Sequence, residues 1–198
     1  MYLDLSRYQG LIFDMDGTLI DTMPSHLAAW QQAAEHFDIP FDREWIHSMG
    51  GMPSPKITLE VNKRYGMNLD PKTVAQKKMA FFAAITDYGE LIPATNEILN
   101  RYQGEKKIAV GTGSMSQSAM RLLQGRNLLP LLDTVVTACD VENHKPAPDT
   151  FLLAAQRLGL SANECVVFED TELGKKAAHA AGMDCIMVEG DELVFYPL

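Results

Sequence analysis

Five short apolar runs, separated by stretches of helix length, set the rhythm of this chain. They are Leu11-Ile12-Phe13, Lys107-Ile108-Ala109-Val110, Thr134-Val135-Val136, Cys165-Val166-Val167-Phe168 and Cys185-Ile186-Met187-Val188. Their apolar residues are consecutive rather than alternating, which predicts strands buried on both faces of a parallel sheet. Residues 115–124, 149–158 and 172–181 read as helices, and Gly159 and Gly182 follow the last two as stop signals. Strand–helix alternation of this kind predicts an α/β, doubly wound fold. The stretch from Pro24 to Ile92 breaks the rhythm. It shows no strand; Pro24 opens a helix through Leu27, Trp30 and Ala34, and Pro53, Pro55 and Pro71 punctuate helices at 56–65 and 73–85. An all-helical insertion of about 70 residues, large enough to be a small domain, is therefore expected at 23–89, within a core made of 1–22 and 90–198. The chain would cross between the two near Asp21-Thr22 and between Gly89 and Pro93.

Composition narrows the function classes. Of 198 residues, 46% are hydrophobic and 22% charged, as in an ordinary globular protein, so collagen-like and disordered classes are excluded. The formal charge of −9 argues against nucleic acid as a partner, since a phosphate backbone demands a basic face. An anionic substrate would need a local device: a metal ion, a lysine or backbone N–H groups. Cys139, Cys165 and Cys185 are too far apart for a zinc site and odd in number, so all three are expected as buried free thiols. No apolar run is long enough to span a bilayer. The first residues lack the basic start and apolar core of a secretory leader. The expectation is a soluble, cytoplasmic protein that partners neither nucleic acid nor membrane.

In a parallel sheet, ligands bind beyond the carboxyl ends of the strands. After the first run comes Asp14-Met15-Asp16-Gly17-Thr18, and after the second Thr112-Gly113-Ser114. After the third the chain leads to His144-Lys145-Pro146, and after the fourth come Glu169-Asp170. Each segment alone has an ordinary reading: a turn, a helix cap, a solvated loop, an acidic helix start. At successive strand ends they converge, and carboxylates so gathered repel one another in a low-dielectric cleft. Mg²⁺, a hard cation that takes oxygen ligands, relieves that repulsion and can neutralise a phosphate. Lys145, Thr112 and the N–H groups around Gly113 and Ser114 suit phosphoryl oxygens. The pattern predicts phosphoryl transfer, with Asp14 as nucleophile and Asp16 as general acid and base.

These four segments, in this order, resemble the motifs of the haloacid dehalogenase-like phosphohydrolase superfamily. They are Asp14-Met15-Asp16-Gly17-Thr18, Thr112, Lys145-Pro146-Ala147-Pro148-Asp149, and Glu169-Asp170 followed by a glycine-containing helix. The resemblance implies a Rossmann-like core with an inserted helical cap, and an aspartyl-phosphate formed on Asp14. It implies Mg²⁺ held by Asp14, Asp170 and the Asp16 carbonyl, with Glu169 in support, and a phosphoryl group oriented by Thr112 and Lys145. Asp16, which a pure dehalogenase lacks, favours phosphate esters. Ser54 stands where a phosphonatase carries lysine and a β-phosphoglucomutase arginine, and Lys56 is offset from that position. What remains is a phosphatase, expected as a monomer, for small sugar phosphates of the fructose 1-phosphate or 6-phosphogluconate type; a hexose-phosphate mutase of the β-phosphoglucomutase kind is the alternative. By the same resemblance, His26 and Lys78 in the cap are candidates to orient the acid–base group and reach the substrate phosphate. Trp30, Trp45, Phe81 and Phe82 are expected as cap core.

Overall fold

The structure, a computed structural model, describes residues 3–85, 89–190 and 192–198. Positions 1, 2, 86–88 and 191 lie outside the described residues, and with them the first two residues of the N-terminal reading and three of the expected insertion. The five apolar runs form β1 (Gly10–Phe13), β2 (Lys107–Gly111), β3 (Thr134–Val136), β4 (Cys165–Glu169) and β5 (Asp184–Glu189), joined by β6 (Glu192–Tyr196). They make one sheet of order β3-β2-β1-β4-β5-β6. The first five strands are mutually parallel; β6 runs antiparallel to β5. The five expected strands thus form the parallel sheet, and one antiparallel strand that was not expected is added at its edge. Only the inner strands need be apolar on both faces, and β6, half-buried at best, carries no such run. A Gly190-Asp191 pair between two β-prone stretches was its signal.

Side chains alternate across each strand, and here both faces are covered. Leu11, Phe13, Val110, Val166, Phe168 and Ile186 belong to one apolar cluster, shared with α5 (Pro93–Tyr102) and α6 (Ser116–Gly125). Ile12, Ala109, Val167, Cys185 and Met187 belong to the other, shared with α7 (Asp149–Leu158) and α8 (Glu172–Ala180). Burial of this kind contributes roughly 25 cal/mol per Å² of apolar surface. It explains the unbroken apolar runs.

Among the described residues between β1 and α5 lie four helices: α1 (Met23–His36), α2 (Arg43–Ser48), α3 (Ser54–Tyr65) and α4 (Pro71–Ala84). Proline sits in the first turn of α1, α3 and α4, where its missing N–H costs nothing. The Asp42 and Asp70 side chains cap α2 and α4 by accepting from Trp45 N at 3.0 Å and Thr73 N at 2.8 Å; each such cap contributes about 1 kcal/mol. These helices have their own apolar cluster, with Leu27, Trp30, Ala33, Ile57, Val61 and Val74 at its centre. The chain leaves and re-enters the sheet region along one short ladder. Asp21 N donates to Glu90 O at 2.9 Å, and Ile92 N to Leu19 O at 3.0 Å. Asn96 Nδ2 also donates to Leu19 O at 2.8 Å, which ties α5 to the same crossing. Helices α2 and α5 were not expected from the sequence; α2 is only six residues long, too short for periodicity to show.

Candidate active site

Strand register brings the motif residues together. Phe13 pairs with Val110 on one side and Phe168 on the other, so Asp14, Thr112 and Glu169 leave the sheet at nearly the same level. The Phe13 and Phe168 rings stack with centroids 4.4 Å apart directly below them. Helices cross between neighbouring strands on opposite faces of the sheet here, which opens the crevice at the strand ends.

Lys145 comes from the loop after β3. It is 1% exposed, with Nζ 2.5 Å from Asp14 Oδ1 and 2.7 Å from Glu169 Oε1. Burial alone would lower the lysine's proton affinity, but the two carboxylates outweigh it and hold it above its ordinary value. Burial pushes Asp14 up to about 8; Lys145 opposes the rise, while Glu169 and Asp16 add to it. The other Glu169 oxygen accepts from Thr171 N at 2.6 Å and Thr171 Oγ1 at 2.8 Å. The Thr171 hydroxyl in turn caps α8 by accepting from Gly174 N at 3.0 Å. A Cβ on Gly174 would stand 1.8 Å from the Glu169 carboxyl, so the glycine in the fourth motif makes room for that buried carboxylate.

Asp14, Glu169 and Asp170 offer carboxylate oxygens within 4.8 Å of one another. Asp170 is held well above its usual range, first by burial and then by Glu169 and Asp14. A buried set of oxygen donors that repel one another suits a divalent cation. Since Lys145 and Thr171 occupy Glu169, a cation would rest chiefly on Asp14 and Asp170. The Asp16 carboxylate lies outside this cluster.

Asp16 is held by four other groups instead. Its Oδ1 accepts from Thr22 Oγ1 at 2.6 Å and lies 3.2 Å from His26 Nε2; its Oδ2 accepts from Ser114 Oγ at 2.6 Å and Thr112 Oγ1 at 3.4 Å. Burial favours the neutral acid, but His26, Ser114 and Thr22 outweigh it and keep Asp16 far below the usual carboxylate range. His26 Nδ1 is 2.6 Å from Lys78 Nζ. The His26 ring stacks on Phe82 with centroids 4.2 Å apart. Burial and then Lys78 lower the proton affinity of His26; burial lowers Lys78 to about 7, against the pull of Asp16. Lys78, in what reads as a solvated Lys77-Lys78 run, is 1% exposed.

Asp14, Asp16, His26, Lys78, Thr112, Gly113 and Ser114 all line one cavity of about 600 Å³ between the strand ends and helices α1–α4. Ser54 lines it too, whereas Lys56 stands beside His144 and depresses its proton affinity, after burial. The loop Gly50-Gly51 closes over the floor: a Cβ on Gly113 would lie 2.2 Å from Gly51 O. Thr22, Thr171 and Gly51 are site residues that sequence reasoning left without a role. Thr22 stood at the expected crossing Asp21-Thr22, and its spacing from Asp16 was the available signal. Trp30 and Phe82 are buried as expected, but Trp30 also lines the cavity, and Trp45 is half-buried beneath the Arg64 guanidinium. Cys139 is exposed, contrary to the expected burial, because cover over the stretch after β3 ends at Ala138; Cys165 and Cys185 are buried. Among the described residues no helix is long and apolar enough to cross a membrane.

This fold, with one buried carboxylate clamped by lysine and a second held separately beside it, is an arrangement suited to phosphoryl chemistry. The family model for haloacid dehalogenase-like hydrolases matches residues 11–188; the chain belongs to that family and is a phosphatase. The chain is 42% identical to the fructose-1-phosphate phosphatase of Escherichia coli, over 92% of this chain and 97% of that protein. It is 31% identical to the β-phosphoglucomutase of Bacillus subtilis, over 91% and 83% respectively. Among solved structures, a hydrolase from Pseudomonas syringae aligns with a TM-score of 0.81 at 28% identity, covering 89% of this chain and 82% of that one.

Proposed function

We propose that this phosphatase hydrolyses small sugar phosphates, of the fructose 1-phosphate or 6-phosphogluconate type, through an aspartyl-phosphate on Asp14. The observation that carries the reading is the buried Asp14–Lys145–Glu169 cluster beside the separately held Asp16. Names of the relatives support the substrate class: the similar Escherichia coli protein is a fructose-1-phosphate phosphatase. In this reading residues 1–22 and 90–198 form the catalytic core and 23–89 the cap. The enzyme acts as a cytoplasmic monomer.

The carboxylate of Asp14 attacks phosphorus, an aspartyl–phosphorus bond forms, and the ester P–O bond breaks. The departing sugar oxygen takes a proton from Asp16. Water then attacks the same phosphorus and gives its proton to Asp16, and the bond to Asp14 breaks, releasing phosphate and the free carboxylate. With the site empty Asp16 is a base. A phosphate arriving beside it adds negative charge and raises its proton affinity, so one carboxyl serves as acid and then as base. His26, backed by Lys78 and Phe82, positions Asp16. Lys145, Thr112 and the N–H groups of Gly113 and Ser114 bind the phosphoryl oxygens. Mg²⁺, held by Asp14, Asp170 and the Asp16 carbonyl with Glu169 in support, would supply charge neutralisation at the phosphoryl group.

Phosphate release from fructose 1-phosphate, 6-phosphogluconate and glucose 1-phosphate, with Mg²⁺ and with chelator, tests this directly. Chelator-sensitive release from one or two of these esters is expected. Isomerisation of glucose 1-phosphate on adding a bisphosphate, without net release, would turn the assignment to a mutase.

A further inference from the structure

The cavity has two kinds of lining. Its floor is polar and carries the catalytic groups described above. What α1–α4 and the loops between them add is mostly apolar: Leu27, Trp30, Ile46 and Met49 are buried, and Met52 and Met79 are half-buried. The charged lining residues away from the floor, Lys72 and Arg121, are exposed, so the interior of the cavity beyond the catalytic groups is largely hydrocarbon, thioether and indole. A sugar carries a hydroxyl on nearly every carbon, and each hydroxyl that leaves water needs a partner. This wall offers few. It offers an apolar leaving group a large dry surface instead, and methionine side chains adapt to ligands of different shape. At about 600 Å³, the cavity lies in the range that suits drug-sized ligands.

We infer that the site also hydrolyses phosphate monoesters of apolar alcohols, alkyl and arylalkyl, with efficiency that rises with the apolar area of the leaving group. The inference rests on the phosphatase reading above and extends its substrate class. The phosphoryl group occupies the floor, the ester oxygen leaves toward Asp16, and the hydrocarbon lies against Trp30, Met49 and Met52. The bonds made and broken are those of the sugar-phosphate reaction, and the released alcohol again carries the Asp16 proton.

A series of n-alkyl phosphates from ethyl to hexyl, with benzyl phosphate, glycerol phosphate and glucose 6-phosphate alongside, tests this with the full chain in Mg²⁺. Leaving-group basicity barely changes along the alkyl series, so kcat/KM reports contact with the wall. An increase of up to about fourfold per added methylene is expected until the wall is covered, the factor for burying one CH₂. Met52→Gln should flatten that slope and lower the ratio of hexyl to glycerol phosphate turnover. Release from sugar phosphates with a flat or falling alkyl series overturns this inference and leaves the proposed function standing. No release from any ester overturns both.

Discussion

In the proposed mechanism Asp16 is the residue on which the two chemical steps meet. Its carboxylate sits among Thr22, His26, Thr112 and Ser114 rather than in the acidic cluster of Asp14, Glu169 and Asp170. That separation is what allows two nearby carboxylates to take different tasks. Asp16→Ala should slow both formation and breakdown of the phosphoenzyme, by about 10²–10⁴-fold each. Rapid-quench kinetics separate the steps; if only one of them slows, the dual role is wrong. Asp14 carries the opposite perturbation, up to about 8, because it is buried beside other carboxylates. To act as the proposed nucleophile it needs a neutralising neighbour that keeps it ionised at neutral pH. Lys145 supplies part of that.

At the scale of elements, loops aimed by rigid strands assemble the site. The loop after β3 delivers Lys145, and a clamp at its start fixes its course: Asp140 accepts from Thr137 N at 2.8 Å, Thr137 Oγ1 at 2.7 Å and Arg157 at 2.7 Å. Partial burial favours the neutral acid, but these bonds outweigh it and bring Asp140 down to about 2. A depressed carboxyl stabilises the fold above its unfolded value of 3.8, and that contribution fades as pH falls through its folded value. Asp140→Asn should therefore destabilise the protein at pH 7, and its deficit in urea unfolding should shrink between about pH 4 and 2. A deficit independent of pH would mean that the carboxylate charge is not what the clamp uses. The loop Gly50-Gly51 meets the core at Gly113, where a side chain would strike the Gly51 carbonyl. Gly113 has no positive φ, so alanine fits its backbone and only the closed loop is disturbed. Gly113→Ala should lower kcat/KM about 10²-fold by holding the loop off the floor, with little change in Tm. Unchanged kinetics would show that the close approach is not needed for turnover.

Much of this arrangement was legible in the sequence, for physical reasons that can be named. The four inner strands β2, β1, β4 and β5 were visible because a strand covered on both faces must be apolar throughout, and edge strand β3 by its run Thr134-Val135-Val136. Asp14, Thr112 and Glu169 were visible because polar residues at the ends of such strands are conspicuous, and Lys145 by its place in the motif after β3. Strand β6 lies at an edge, where the composition rule relaxes. The pairing of Lys78 with His26 was hidden because the two are 52 positions apart and a Lys-Lys dipeptide on a helix reads as solvent-facing. Only the packing of α4 against α1 shows that one of them is buried.

For the molecule as a whole, the dominant electrostatic fact is a cluster of buried carboxylates with one lysine in a protein of net charge −9. A cation bound there stabilises the folded state by mass action, by about 2.7 kcal/mol at a hundredfold excess over its Kd. Mg²⁺ should accordingly raise Tm, and Asp170→Ala should abolish the rise. Equal shifts in the two proteins would place the ion elsewhere. The helices α1–α4 pack over the strand ends; in the proposed function their apolar inner wall selects the leaving group, while the floor carries the chemistry. The measurement that bears most directly on that chemistry is an acid quench during turnover of fructose 1-phosphate, followed by peptide mass mapping. One added phosphoryl group is expected on the peptide that contains Asp14, lost in Asp14→Asn. Steady turnover with the phosphoryl group on another residue, or with none on the protein, would contradict the proposed mechanism.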